Sequence, residues 1–84
     1  MFVVVTYDVD VKRIDRVRKT LRKYLCWVQN SVFEGEITVS NLAKCKAELS
    51  QIIEEEDSVY FYVMRGAPNK EVLGVLKNPI DDIL

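Results

Sequence analysis

The first strand of the fold is encoded by Phe2-Val-Val-Val-Thr-Tyr-Asp8, a nearly continuous run of apolar and β-branched residues. Runs of this kind are typical of strands that are covered on both faces, so we place this strand at the centre of a sheet. Asp8 ends the run, where a lone carboxylate is well placed to act as a metal ligand or an acid; the alternative is a capping or turn aspartate. Because side chains alternate along a strand, Tyr7 should point to the opposite face and pack there.

A basic helix is predicted after this strand, with Asp10 as its N-cap. The apolar residues at helical spacing that predict its buried face are Ile14, Val17, Leu21 and Leu25, with Tyr24 at the margin. The bases that fall opposite this face are Lys12, Arg16, Lys19 and Lys23, while Arg18 and Arg22 lie nearer its border. Seven bases and one acid between positions 12 and 23 make phosphate contact as strong an interpretation as a solvated helix face.

The middle of the chain predicts a strand hairpin and a second helix. Residues 28–39 form the hairpin, and we prefer a turn at Asn30-Ser31 over one at Glu34-Gly35. Ser40 is the predicted cap of the second helix, which ends at the acidic run 54–57. Because carboxylates oppose the helix dipole there, this run marks either fraying of the helix or the start of a loop. The residues that predict its buried face are Leu42, Cys45, Leu49, Ile52 and Ile53.

A clear strand at residues 58–64 completes the order strand, helix, strand, strand, helix, strand. Right-handed crossovers turn this order into a four-stranded antiparallel sheet with both helices on one face, which is a ferredoxin-like α+β fold. We assign residues 1–66 to this domain and residues 67–84 to a C-terminal tail. Positions 72–76 of the tail predict an extra short strand that extends a sheet, used in dimerisation. A homodimer would also cover the sheet face that the helices leave open.

The amino-acid composition excludes several classes of catalytic site. The 84 residues make one domain with a marginal core, so oligomerisation is a reasonable expectation. The chain has no His, which excludes Ser-His and Cys-His nucleophile pairs, imidazole bases and histidine ligands to zinc. Cys26 and Cys45 lack the spacing of a metal knuckle, and we interpret both as buried or inert thiols. What remains is chemistry built on carboxylates, hydroxyls and an oxygen-bound divalent metal, or no chemistry.

The charge is divided along the chain. Residues 1–33 carry seven Lys or Arg and three Asp, for a net +4, whereas residues 34–84 carry five bases and ten acids, for a net −5. One basic face suits an anionic partner on that side alone. No apolar run is long enough to cross a membrane and no targeting segment is recognisable, so we expect a soluble, cytoplasmic protein.

With these elements in place, the chain resembles the CRISPR-associated Cas2 family over essentially its whole length. The residues that carry the resemblance are Tyr7-Asp8, the Arg-rich first helix, Gln29-Asn-Ser-Val-Phe-Glu-Gly35, the strand 58–64 and, for one branch of the family, Leu73-Gly-Val-Leu-Lys-Asn-Pro-Ile80. Trp27 departs from the pattern, because many relatives carry a base two positions before the Gln. Any phosphate-binding or catalytic role of that position is therefore not carried over.

The resemblance implies a homodimer in which the two Asp8 residues face each other near the twofold axis. It implies Asp8 as the catalytic residue and Mg²⁺ ligand of an endonuclease that acts on RNA or DNA. It also implies a complex with the CRISPR integrase, in which the dimer positions spacer DNA. The residues expected to bind nucleic acid are Lys12, Arg16, Arg18 and Lys19, and those expected to support the site are Tyr7, Ser31 and Phe33.

The aromatic residues of the strands are expected to pack rather than to bind bases. Phe33 is expected in the dimer core, because an aromatic residue at a strand position usually packs. Tyr60, Phe61 and Tyr62 are expected in the core and dimer interface, because the base-stacking motif of RNA-recognition sheets is missing.

Of the functions considered, a scaffold for spacer DNA is favoured over a metal-dependent endonuclease. The alternative is a non-catalytic nucleic-acid-binding or small-molecule regulatory module of the same fold.

Overall fold

The computed structural model describes residues 1–78, and within them the predicted order of elements is confirmed. The elements and their bounds are β1 (Phe2–Asp8), α1 (Val11–Arg22), β2 (Cys26–Gln29), β3 (Val32–Glu36), α2 (Val39–Ser50) and β4 (Ser58–Met64). The four strands form one antiparallel sheet in the order β2-β3-β1-β4. This is the ferredoxin-like α+β fold that the sequence predicts.

One face of the sheet carries both helices. Val3 and Val5 of β1 are fully buried in a single core with Phe33 of β3, Val17 of α1 and Leu49 of α2. The intervening side chains of β1 are only half-buried, because no helix lies on their side of the sheet. β1 is central, as predicted, but the expectation that both of its faces are covered is wrong for the single chain.

The first helix buries a stripe that the apolar pattern describes only in part. Val17 and Leu21 are fully buried, and Leu25 is buried just beyond the helix, where its N–H bonds to the carbonyl of Leu21 at 2.8 Å. Arg13 and Thr20 are also buried, although neither is apolar. The N-cap is confirmed, because a side-chain oxygen of Asp10 accepts a hydrogen bond from the N–H of Lys12 at 3.0 Å.

The hairpin turns at Asn30-Ser31, which was the preferred of the two positions. Asn30 has φ = 41°, a left-handed conformation that Asn tolerates better than most other residues. The first strand of the hairpin begins at Cys26, two residues earlier than predicted. Cys45 is buried, and burial raises the pKa of its thiol to about 11. Cys26 is exposed, so of the two alternatives, buried or inert, only the second is left for it as a prediction.

The second helix is capped by Thr38 rather than by Ser40. The Thr38 side-chain oxygen accepts a hydrogen bond from the N–H of Asn41 at 3.1 Å, and the helix begins at Val39. Ser40 lies inside the first turn, so its hydroxyl is past the point where it could serve as the N-cap. The acidic run 54–57 lies in the connection to β4, which agrees with its interpretation as a loop.

The tail forms no strand in residues 65–78, so the strand predicted at 72–76 is absent from the single chain. Lys70 bonds to Glu34 of β3 at 2.6 Å, and the amide of Asn78 donates to the backbone carbonyl of Trp27 at 2.6 Å. Between these contacts the tail stands away from β2 around a cavity of about 360 Å³. The tail therefore makes side-chain contacts with the sheet without extending its backbone ladder. Pro79 and the residues after it lie outside the described part.

Candidate functional site

Asp8 is exposed at the end of β1, as its position in the sequence predicts. It pairs across the strands with Ser58, the first residue of β4. Tyr7 lies on the opposite face and is buried, with its ring 6.3 Å from that of Phe33. The alternation along β1 therefore sends the carboxylate to solvent and the phenol ring into the core.

The two other supporting residues sit close to the end of β1. The carbonyl of Ser31 accepts a hydrogen bond from the N–H of Tyr7 at 3.2 Å, which ties the hairpin turn to the backbone next to Asp8. Phe33 is fully buried within one chain. Its predicted place in a dimer core is wrong, because Phe33 faces the helices rather than the open side of the sheet.

A buried ion pair lies next to the turn that follows β1, and the sequence interpretation missed it. Arg13 donates from Nε to Asp57 Oδ2 at 2.6 Å and from Nη2 to Asp57 Oδ1 at 3.1 Å, and Nη2 also reaches Glu56 Oε1 at 2.8 Å. The side chains of Arg13 and Asp57 are 9% and 1% exposed. The available signal was Arg13 itself, which stands one helical turn before Val17 on the buried stripe and so requires an acidic partner.

Asp57 is saturated with donors. Besides the two bonds from Arg13, its oxygens accept the backbone N–H of Asp10 and of Glu54, each at 2.9 Å. The bonds from Arg13 are the main cause that holds the pKa of the Asp57 carboxyl well below its ordinary value, and the same contacts raise the pKa of Arg13. Asp57 therefore stays ionised and fully occupied, with no lone pair left for a metal or a substrate.

One chain offers few ligands for a metal ion. Within residues 1–78 no group of three or more His, Cys, Asp or Glu side chains is placed to hold a metal ion. Asp8 has the chemistry of a Mg²⁺ ligand, because Mg²⁺ prefers carboxylate oxygens and completes its shell with water. Within residues 1–78, however, one chain does not place enough such side chains together to form a metal centre.

The predicted nucleic-acid contacts all lie on α1. Lys12, Arg16 and Lys19 are exposed, and Arg18 is half-buried. The Nε of Arg18 is enclosed and is the one buried side-chain nitrogen or oxygen of residues 1–78 without a hydrogen-bond partner. Three of these four bases are thus presented to solvent, and Arg18 is held partly against the protein surface.

Lys23, the residue that follows α1, is engaged within the chain. Lys23 and the Tyr24 hydroxyl both donate to Glu48 of α2. These bonds hold the pKa of Glu48 below its ordinary value, and the bond to Glu48 raises the pKa of Tyr24 to about 12. The cluster joins the end of α1 to α2 at the opposite end of the helix from Arg13.

The open face of the sheet exposes aromatic side chains. Tyr60 and Tyr62 are 57% and 53% exposed, and their rings stack with centroids 6.5 Å apart. Their strand partners on β1 are Thr6 and Val4. Phe61 lies on the other face and packs against the core. The predicted core position is therefore confirmed for Phe61. The two tyrosines lie outside the core of the single chain, because β4 turns them away from the helices, and their place in a dimer interface stays a prediction.

Comparison with known proteins points to one family. A family model described as CRISPR associated protein Cas2 matches residues 1–72. The chain is 52% identical over 85 residues to a protein of Thermococcus kodakarensis named CRISPR-associated endoribonuclease Cas2, and the match covers 100% of both chains. No helix within residues 1–78 is long and apolar enough to cross a membrane.

Solved structures agree with the sequence match. A crystal structure described as Cas2 has a TM-score of 0.86 at 45% identity, and the match covers 94% of this chain and 92% of the other. The crystal structure of Streptococcus pyogenes Cas2 at pH 6.5 has a TM-score of 0.75 at 40% identity, and the match covers 88% of this chain and 100% of the other. The shared architecture therefore extends over nearly the whole chain.

Proposed function

Since the chain belongs to the CRISPR-associated protein Cas2 family, we propose that it acts in CRISPR adaptation as a homodimeric scaffold for spacer DNA. In this role it works in the cytoplasm with the CRISPR integrase, which performs the chemistry of insertion. The dimer holds the nucleic acid through α1 and keeps the incoming DNA in position.

The distribution of functional side chains carries this proposal. Lys12, Arg16 and Lys19 are exposed along one helix, where they can contact successive phosphates. Asp8, by contrast, is a single exposed carboxylate without the further ligands that a metal centre needs. The groups for binding a polyanion are therefore present in each chain, whereas those for cleaving it are not assembled in one chain.

The open face of the sheet supports the homodimeric form. Tyr60 and Tyr62 present two stacked rings to solvent, and the tail exposes Leu73 and Val75. Exposed aromatic and aliphatic groups of this size are typical of protein interfaces. A second copy of the chain would bury them and enlarge the small core of the monomer.

DNA binding by α1 is tested by salt dependence. For Lys12→Gln/Lys19→Gln, the slope of log affinity against log salt should become shallower by roughly 2, because two phosphate contacts are lost. Lys44→Gln/Lys46→Gln changes two exposed bases on α2 and is the matched control. An unchanged slope for the α1 variant would contradict the assignment.

The scaffold role is tested by spacer insertion with the integrase present. Asp8→Asn should still assemble with the integrase on DNA and support insertion, because the scaffold requires no chemistry from Asp8. Loss of insertion in this variant, while the complex still assembles on DNA, would refute a purely structural role.

We propose a second function, Mg²⁺-dependent endonuclease activity on RNA or DNA, because Asp8 is exposed at a strand tip and forms no salt bridge with a base of residues 1–78. Asp8 of one chain and Asp8 of the partner subunit would hold the ion. When bound, Mg²⁺ would lower the pKa of a water molecule and thereby supply the attacking hydroxide. Asp8 would hold the ion through its carboxylate oxygens and would supply no other group to the reaction.

Cleavage of single-stranded RNA and of duplex DNA, with and without Mg²⁺, tests this activity. We expect cleavage by the wild type to require Mg²⁺ and to fall by about 10²-fold or more in Asp8→Asn, the usual scale for removing a group that stabilises the transition state. Asp15→Asn, an exposed carboxylate on α1, is the control and should retain activity. Cleavage that survives in Asp8→Asn would exclude Asp8 as the catalytic residue.

A further inference from the structure

The backbone around Asp8 is held by two consecutive residues from another part of the chain. Ser58 pairs with Asp8 across β1 and β4. Asp57, the residue before it, accepts a hydrogen bond at Oδ1 from the N–H of Asp10 at 2.9 Å. Asp8 thus has a strand partner beside it and an anchored turn two residues after it.

Arg13 holds Asp57 in the orientation that this anchor requires. Its Nε and Nη2 engage both oxygens of the Asp57 carboxylate, at 2.6 and 3.1 Å, and so prevent rotation of the carboxylate plane. The backbone N–H of Arg13 also bonds to the carbonyl of Asp10 at 2.9 Å. The turn after Asp8, the first turn of α1 and the start of β4 are therefore locked together by one buried pair.

We propose that the Arg13–Asp57 ion pair is a positioning device for Asp8, and that it fixes the strand tip on which this carboxylate is carried. The inference rests on the proposed role of Asp8 in Mg²⁺-dependent cleavage. A buried ion pair is a weak source of stability, because the desolvation of both charges offsets their attraction. The two-point contact between Arg13 and Asp57 does restrict the backbone after Asp8. In a site built from two copies of Asp8, a displacement of this strand tip would occur in both chains.

Amide hydrogen exchange followed by NMR tests the local restraint without any activity. In Asp57→Asn the amide of Asp10 should exchange about tenfold faster or more, because its hydrogen bond to a charged acceptor is weakened. The amides of Val3 and Val5, which are buried in the same strand, should be accelerated less. Glu48→Gln breaks the ion pair at the far end of α1 and is the matched control, with no effect expected at Asp10.

The milder variant Arg13→Lys keeps the positive charge but loses the two-point contact. We expect the exchange rate of the Asp10 amide in this variant to lie between those of the wild type and Asp57→Asn. This variant also provides the test if Asp57→Asn folds poorly. Equal acceleration at Asp10 and at the core valines would show that the pair only stabilises the fold, and it would overturn the proposal. Unchanged exchange at Asp10 in both variants would overturn it as well.

Kinetics then connect the restraint to Asp8. Asp57→Asn should lower kcat by about 10²-fold, as a displacement of roughly 1 Å can do, while KM for the nucleic acid stays unchanged. Glu48→Gln should leave both parameters near those of the wild type. If Asp57→Asn cleaves like the wild type, the positioning proposal fails. If the wild type itself does not cleave, the endonuclease proposal fails, and the exchange data still decide whether the strand tip is held by this pair.

Discussion

At the level of single residues, Asp8 and Asp57 lie near the same end of the sheet and yet serve different purposes. Asp57 is buried and accepts hydrogen bonds from Arg13 and from two backbone N–H groups. Asp8 ends β1 in solvent. A carboxylate with all its acceptor positions filled can only support structure, whereas an exposed one remains able to meet a metal, a base or a second chain.

The Arg13–Asp57 pair predicts how stability depends on pH. The pKa of Asp57 is lower in the folded protein than in the unfolded chain, so its contribution is complete above the unfolded value of about 4 and is lost as the pH falls below it. We expect the free energy of unfolding, measured in urea, to decline more steeply below pH 4 in the wild type than in Asp57→Asn.

Asp15→Asn removes an exposed carboxylate from α1, the helix that contains Arg13, and serves as the control. It should reproduce the pH profile of the wild type. Parallel acid profiles for the wild type and Asp57→Asn would mean that the pair does not contribute to stability through ionisation.

At the level of elements, helix ends and turns depend on single hydrogen bonds. The sequence offers two hydroxyls near the start of α2, and propensity cannot choose between Thr38 and Ser40, because both residue types cap helices well. The choice follows from where β3 ends and the chain turns, since Thr38 is the residue with extended backbone angles, φ −80° and ψ 158°. Asn30 is a comparable case, because its left-handed conformation ends β2 and sets the hairpin register.

The capping assignment predicts unequal effects of two similar substitutions. Thr38→Ala should reduce the free energy of unfolding by about 1 kcal/mol, because the N–H of Asn41 loses its acceptor. Ser40→Ala should change it by only a few tenths of a kcal/mol, since Ala is a good helix former at an exposed position. Urea denaturation of both variants measures the difference, and a larger loss for Ser40→Ala would reverse the assignment.

At the level of the whole molecule, the fold is asymmetric between its two sheet faces. The helix-covered face contains the core, including Phe33 and Tyr7, and the other face exposes Tyr60 and Tyr62. The tail contacts β3 through Lys70 and β2 through Asn78, but it does not form a fifth strand in residues 65–78. Pairing of the tail with a strand edge of a second copy therefore stays a prediction.

The open face predicts the outcome of an oligomerisation experiment. We expect the wild type to be a dimer by analytical ultracentrifugation and Tyr62→Asp to be largely monomeric, because two like charges would be buried in a symmetric interface. Val39→Asp changes an exposed apolar residue on α2 and should leave the dimer intact. A wild-type monomer, or a dimer that is insensitive to Tyr62→Asp, would contradict the homodimer proposal.

The sequence by itself determined the order of elements, the antiparallel sheet, the N-cap at Asp10 and the exposure of Asp8. The elements and the exposure of Asp8 follow from local periodicity and from the alternation of side chains along a strand, and the cap follows from the residue type. The antiparallel sheet follows from the order of elements and the handedness of their crossovers. Only the tertiary structure decided that Arg13 is buried with Asp57, which is 44 positions away. It also decided that Phe33 belongs to the core of one chain and Tyr62 to the open face. Such contacts depend on how strands and helices pack against each other, and no local pattern along the chain specifies contacts between residues so far apart in sequence.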